Sequence, residues 1–403
     1  MSNVPSELHR DILLRLPAAS LFRFRVVCKA WRRMIDDPSF VKSHTNNSQR
    51  SSHTLLIRTT TGLLYSLSLD SLNYINGQQT VYVNRVKNLV RLGVPRLPGF
   101  PVASCNGLIL LSHYEINKIW VIWNPLTGDF HELPQLGMEF CLMGSGLGYD
   151  FASDDYKVVR IDNVCISRKF SYRTLIYSLK LNSWKMIDDC PCDFSRVSQG
   201  LFLNGALYWN SCAMIVALDL ATEKYRQIPL PAEERMPFDL RLDAMDGCLV
   251  LSDDYAILRA WMLRDYKAEE PLWVEMFSSR ERSAIGGTSG CIWPLAYSKS
   301  QRQLILQHEN KIIRWDIEKY SSKKVSIHGL PGCQSSQIVP GSLFRFNNSG
   351  GGGGGGSIAA KGVKRKRVKA TKRLKLSVTT IESGFLSDSD YYSSEGEGDD
   401  FEC

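Results

Sequence analysis

The stretch KIWVIWNPLTGDFHELP, residues 118–134, decides the fold. An apolar strand runs into an Asn-led turn, and an aromatic-bearing strand follows that ends in Leu-Pro. The same unit returns as TLIYSLKLNSWKMID (174–188), IVALDLATEKYRQIPLP (215–231) and KIIRWDIEKYSSKKVSIHGLP (311–331). Weaker copies are LLYSLSLDSLNYI (63–75) and ILRAWMLRDYKAEEPLWVEMF (257–277). Most are preceded by a second strand pair with its own turn: SCNGLILLS, LFLNGALYW, AMDGCLVLS and AYSKSQRQLILQ. The six turns fall near residues 70, 125, 182, 219, 265 and 316, about 49 residues apart, which is the period of a four-stranded propeller blade. Six such units fill residues 51–346, which predicts an all-β domain closed as a propeller of about six blades. The last strand, GSLFRF (341–346), is expected to close the ring. A stacked β-sandwich explains the alternation equally well but not the period.

Upstream, residues 4–44 read as helical. Pro5 and Ser6 open a helix, proline being suited to a first turn, and Leu8, Ile12, Leu13 and Leu16 recur at helical spacing. Pro17 interrupts it, LFRFRVV and CKAWRRMI follow, and Asp37-Pro38 ends the run. A module of about 40 residues buries too little to be stable alone, yet this one is rich in leucine, valine and aromatics. Part of that apolar surface must be covered, either by the rest of the chain or by a partner.

Downstream, seven glycines (350–356) form a tether, and the stretch after them is dominated by charge. Residues 361–375 hold nine Lys/Arg and no acid, while 382–403 hold eight Asp/Glu and no base. Such a tail cannot bury a core and is expected to be disordered. The two blocks nearly cancel, so most of the formal +8 belongs to the folded part. That is a mildly basic globule and not a nucleic-acid surface. The opening MSNVPSELHR has no basic region leading into an apolar run, and no apolar run reaches the ~20 residues of a membrane span. The eleven cysteines show no spacing framework, so reduced thiols in cytosol or nucleus are expected.

Convergent chemistry is not visible. The seven histidines lie far apart, and Cys190 and Cys192 lack the second pair a zinc site needs. GSGLGYD (144–150) lacks the lysine of a phosphate loop and reads as a glycine-relieved turn in a strand. DFASDDYKVV carries three carboxylates that a solvated turn explains more simply than a metal site. No cofactor, metal or catalytic residue is expected.

The stretch VPSELHRDILLRLPAASLFRFRVVCKAWRRMIDDPSFVKSH (4–44) resembles an F-box of the plant type. The likeness continues through NGLILL, WNPLTGDFHELP, GLGYDFASDDYKVVR, IYSLKLNSWKMI, LNGALYW and LDLATEKYRQIPLP. These are similar to the F-box-associated, kelch-like domain of plant F-box proteins, the group that includes S-locus F-box relatives. Val4 stands where Leu is usual, and His9 where an apolar residue is common. The resemblance implies a three-helix F-box over 1–46, the β domain over 51–346 and a tail over 347–403.

The resemblance further implies the substrate receptor of an SCF-type ubiquitin ligase, not itself an enzyme. Its F-box would bind a Skp-type adaptor, which leads to cullin and RING subunits, while the β domain captures a protein target. Carried over by position, the adaptor-binding set is Pro5, Leu8, Ile12, Leu13, Leu16, Pro17, Leu21, Phe24 and Val26, with Trp31 holding the helices together. An interaction scaffold outside any ligase is a second reading, and a sugar-binding or enzymatic propeller a third. In the tail, Lys364, Arg365, Lys366, Arg367, Lys372 and Arg373 resemble a nuclear import signal, so nucleus and cytoplasm are the expected locations. Ser387 and Ser394, each with an acid three residues on, suit acidophilic kinases.

Overall fold

The computed structural model describes most residues from 6 to 346; the longest stretches outside it are 69–80, 86–99, 280–291 and everything from 347. The tail residues singled out above therefore lie outside the described residues.

Four short helices come first: α1 (Ser6–Leu14), α2 (Ala18–Phe24), α3 (Lys29–Asp36) and α4 (Pro38–Ser48). The fourth corrects the expected three. Asp37-Pro38 does not end the helical run but restarts it. Pro38 occupies a first turn, where its missing N–H costs nothing, and Asp37 caps that turn by accepting from Ser39 N at 2.9 Å and Phe40 N at 3.1 Å. Pro17 likewise breaks α1 from α2, and its carbonyl accepts from Ser20 and Leu21. Leu13, Ala18, Leu21, Ile35 and Phe40 form the core of this bundle.

Six sheets follow. Blade 2 is Phe100–Cys105, Leu108–Ser112, Trp120–Trp123 and Phe130–Glu132, an antiparallel meander from the inside outward. Blade 3 is Cys141–Asp150, Asp155–Ile166, Lys169–Ser178 and Ser183–Ile187, with Ser198–Gln199 lying parallel beside its first strand. Blades 4, 5 and 6 begin at Leu201–Leu203, Arg241–Met245 and Ile292–Tyr297, and each has four strands. Blade 1 joins both ends of the chain: Ser335–Pro340, His53–Arg58, Leu64–Ser68 and Asn84–Arg85.

The expected closure is present but uses a different strand. Ser335–Pro340 pairs antiparallel with His53–Arg58, in register from His53↔Pro340 to Arg58↔Ser335. The sequence GSLFRF at 341–346, expected to do this, has no strand partner and runs on past blade 1 against blades 2 and 3. Six apolar clusters give independent proof of a ring, because each lies between consecutive blades. Leu147 and Val158 of blade 3 meet Leu110 and Ile122 of blade 2, and the series runs on to Ile305 of blade 6 against Leu55 and Ile57 of blade 1. Leu56 and Val339 of blade 1 then meet Ile109 and Trp123 of blade 2, completing the circle. Closure leaves no unpaired sheet face between first and last blades.

GSGLGYD proves to be strand and not turn. Its glycines let blades approach: a Cβ on Gly146 would lie 2.9 Å from Leu207 Cδ1, and one on Gly148 2.4 Å from Leu220 Cδ1, both on blade 4. The tight inner hairpins use Asn-Gly, with Asn106 and Gly107 at φ 47° and 83°, the left-handed pair a type I′ turn requires.

Candidate docking surface on the helical module

Position alone assigned nine side chains to a partner surface, and the bundle divides them. Leu13 and Leu21 are 1% and 0% exposed and belong to the core, so they support the surface without forming it. Leu16, Pro17 and Phe24 are half-buried. Pro5 lies outside the described residues. Leu8 and Ile12, one turn apart on α1, are 50% and 53% exposed, and Val26, in the turn after α2, is 88% exposed. Val27 at 60% belongs with them and was missed. Its signal was present, since it continues an apolar pair directly before the α3 cap.

Packing and charge fix this surface from behind. Trp31 packs against Phe24 at 5.6 Å and His9 at 6.4 Å, tying α3 to α2 and α1 as expected. Arg25 grips Asp36 with two bonds, Nε to Oδ1 at 2.5 Å and Nη2 to Oδ2 at 2.7 Å, which locks the turn carrying Val26 onto α3. His44 is 1% exposed, and its Nε2 donates to Leu16 O at 2.8 Å, holding the end of α1 against α4. Burial pushes the His44 pKa below its ordinary 6.5, partly opposed by that hydrogen bond.

The module sits on one end of the ring. Antiparallel order places the first-to-second and third-to-fourth turns of every blade at the same end. Leu126, in the third-to-fourth turn of blade 2, packs against the module's core. Asp154, in the first turn of blade 3, takes Lys42 of α4 at 2.8 Å. Among the described residues, the opposite end, with the second-to-third turns and the blade connections, carries none of these contacts.

DFASDD is the solvated turn expected, residues 151–154 being exposed between two strands, and its carboxylates also hold neighbouring groups. Asp154 also accepts from Tyr149, and Asp155 from Lys180 N at 2.9 Å and from Ser178. Asp150 is 3% exposed and pairs with Lys157 at 2.9 Å. Lys157 reaches on to Glu223 at 3.0 Å and Leu220 O at 2.7 Å, bridging blades 3 and 4. The hydrogen bonds and the ammonium keep the Asp150 carboxyl below its ordinary pKa in spite of burial. Each of the three carboxylates makes contacts within the fold, and no group of three or more metal-ligating side chains occurs among the described residues.

A model of the F-box domain matches residues 1–43, and a model of the F-box associated beta propeller domain matches residues 64–338. The chain belongs to this family of F-box proteins. The F-box protein CPR1 of Arabidopsis thaliana is 28% identical over 382 residues, spanning 85% of this chain and 89% of that protein. The F-box/kelch-repeat protein At3g23880 of the same plant is 28% identical over 314 residues, spanning 73% and 82%. Leu8, Ile12, Val26 and Val27 are accordingly exposed apolar residues of an F-box. The ring beneath them is an F-box-associated propeller.

Proposed function

We propose that this protein is the substrate receptor of an SCF-type ubiquitin ligase. The F-box docks a Skp-type adaptor and, through it, cullin and RING subunits, while the propeller captures a protein target for ubiquitination and degradation. The observation that carries the reading is the exposed apolar set Leu8, Ile12, Val26 and Val27 on a module too small to be stable alone. The F-box is seated on the end of the ring that carries Leu126 and Asp154, and the target is assigned to the opposite end. F-box proteins are in general non-catalytic subunits, and this chain needs no catalytic residue for the role. Holding a target near a charged conjugating enzyme raises the effective concentration of its lysines, and that proximity is the contribution.

Affinity purification with the proteasome blocked tests the reading. Adaptor, cullin and RING subunits are expected to co-purify with the wild type and to vanish together from an F-box-deleted form. Adaptor alone, without cullin or RING, would replace the ligase reading by a scaffold. The basic block around Lys364–Arg367 supports import to the nucleus alongside a cytoplasmic pool, and phosphates at Ser387 and Ser394 would add negative charge near it.

A further inference from the structure

After Pro340 closes blade 1, the chain runs on for six residues between the F-box and the ring, and its side chains alternate between the two. Gly341 lies against α2 so closely that a Cβ there would be 2.9 Å from that of Ala18. Leu343, 6% exposed, enters the F-box core beside Leu13, Leu21 and Phe40. Phe344 turns the other way, its ring 5.0 Å from Tyr156 on blade 3. Arg345, exposed, bridges the two, 5.9 Å over the Phe22 ring of the F-box and with Nε 3.8 Å from Asp129 in the blade 2 turn, and Phe346 goes back to the ring, 5.9 Å from His131 of blade 2. That is the period-two pattern of an extended segment with both faces covered. Asn124 of blade 2, fully buried, fixes its backbone: Nδ2 donates to Ser342 O at 3.0 Å and to Phe344 O at 2.8 Å.

We propose that residues 341–346 are a positioning strap that makes the adaptor-ready F-box conditional on a closed ring. The F-box core is incomplete without Leu343, which arrives about 300 residues after it in sequence. The strap can be in place only when Ser335–Pro340 is paired in blade 1, because Pro340 faces His53 there and Gly341 follows it. Opening the ring withdraws Leu343 from the F-box. Leu343 and Asn124 are the positioning residues: neither needs to touch the adaptor, and both hold the surface that does. The adaptor arm of this proposal rests on the function proposed above, and the coupling of strap to F-box does not.

Native-state hydrogen exchange on the full chain tests the coupling. In the wild type, the amides of α1, α2 and the strap are expected to open as one cooperative unit. Leu343→Ala, and Asn124→Ala on the ring, whose Oδ1 also holds the turn of Leu126 through its N–H at 2.9 Å, are each expected to speed exchange in α1 and α2 by about tenfold or more while the near-UV spectrum of the ring persists. The same variants should lower the share of competent F-box, and affinity for a purified Skp-type adaptor should fall in proportion to that share, measurably so only under mild denaturant where about half of the F-boxes are open. Unchanged exchange in α1 and α2 of Asn124→Ala would overturn the proposal. So would faster exchange in α1 and α2 with the strap amides left as protected as in the wild type, since the F-box would then open without the strap. Should both variants precipitate, the wild-type exchange decides: an F-box that opens while the strap stays protected refutes the coupling. A wild-type chain that never binds the adaptor removes the ligase reading and leaves the exchange result standing.

Discussion

Two side chains on α1 give the sharpest test of the F-box surface. Fully burying a leucine or isoleucine that was exposed is worth about 1.5–3 kcal/mol. Leu8 and Ile12 are already about half buried, at 50% and 53% exposure, so a docked partner gains about 1 kcal/mol from each. Leu8→Ala with Ile12→Ala should therefore cost about 2 kcal/mol, or roughly 30-fold in adaptor affinity. Leu8→Glu with Ile12→Glu should go further, because each new carboxylate must be desolvated against an apolar partner or keep it at a distance. Binding should then fall below detection in titration calorimetry. Since neither side chain belongs to the buried core, near-UV spectra and melting temperatures should stay close to wild type. A graded loss from wild type through the alanine pair to the glutamate pair is expected. Glutamate variants that bind within about threefold of wild type would refute the reasoning, because burial of an apolar surface cannot survive two charges.

Other consequences are open to test. A chain ending at Lys324 loses the inner strand of blade 1 and should be insoluble, whereas one ending at Pro340 should keep a soluble ring with a loosened F-box; sedimentation of the two products separates them. Lys157→Met leaves the buried Asp150 carboxylate without its ammonium and should cost about 3 kcal/mol in urea denaturation, with Lys157→Met/Asp150→Asn recovering part of it. His44 has a folded pKa below its ordinary 6.5, so the folded F-box binds fewer protons than the unfolded one. Stability should thus be full above pH 6.5 and fall as pH drops below it, and His44→Gln should flatten that dependence in thermal melts at pH 5 to 8. A tagged chain lacking 361–375 should lose nuclear accumulation in fluorescence images if that block directs import.

The ring was legible because its signal is repeated. A strand, an Asn-Gly or Asx turn and an aromatic strand recur six times, and each copy reports the same local physics. What could not be read were the single contacts between distant segments. GSLFRF reads as a last strand, and the segment does alternate its faces, Leu343 entering the F-box and Phe344 and Phe346 the ring. The pattern reports two covered faces, however, and cannot say whether sheet neighbours or a helical module covers them. Leu13 and Leu21 were assigned to the partner for a related reason. The motif marks apolar positions on short helices, but only the packing of α1 against α2 and α4 tells core from surface. The Asp154–Lys42 pair joins residues 112 positions apart, and neither one is unusual where it stands.

The place of the strap follows from topology. A ring that closes by pairing the chain's first blade strand with its last must bring the two ends of the domain together in one blade. Here those strands are His53–Arg58 and Ser335–Pro340, side by side in blade 1. An F-box attached just before His53 therefore emerges next to whatever follows Pro340. Those following residues are the natural cover for an N-terminal module that cannot bury its own core. The cost of ordering six more residues is offset because both faces of the segment are buried, Leu343 in the F-box and Phe344 in the ring. The closing strand and the strap are thus one continuous device, 335–346, whose first half completes the ring and whose second half seats the F-box.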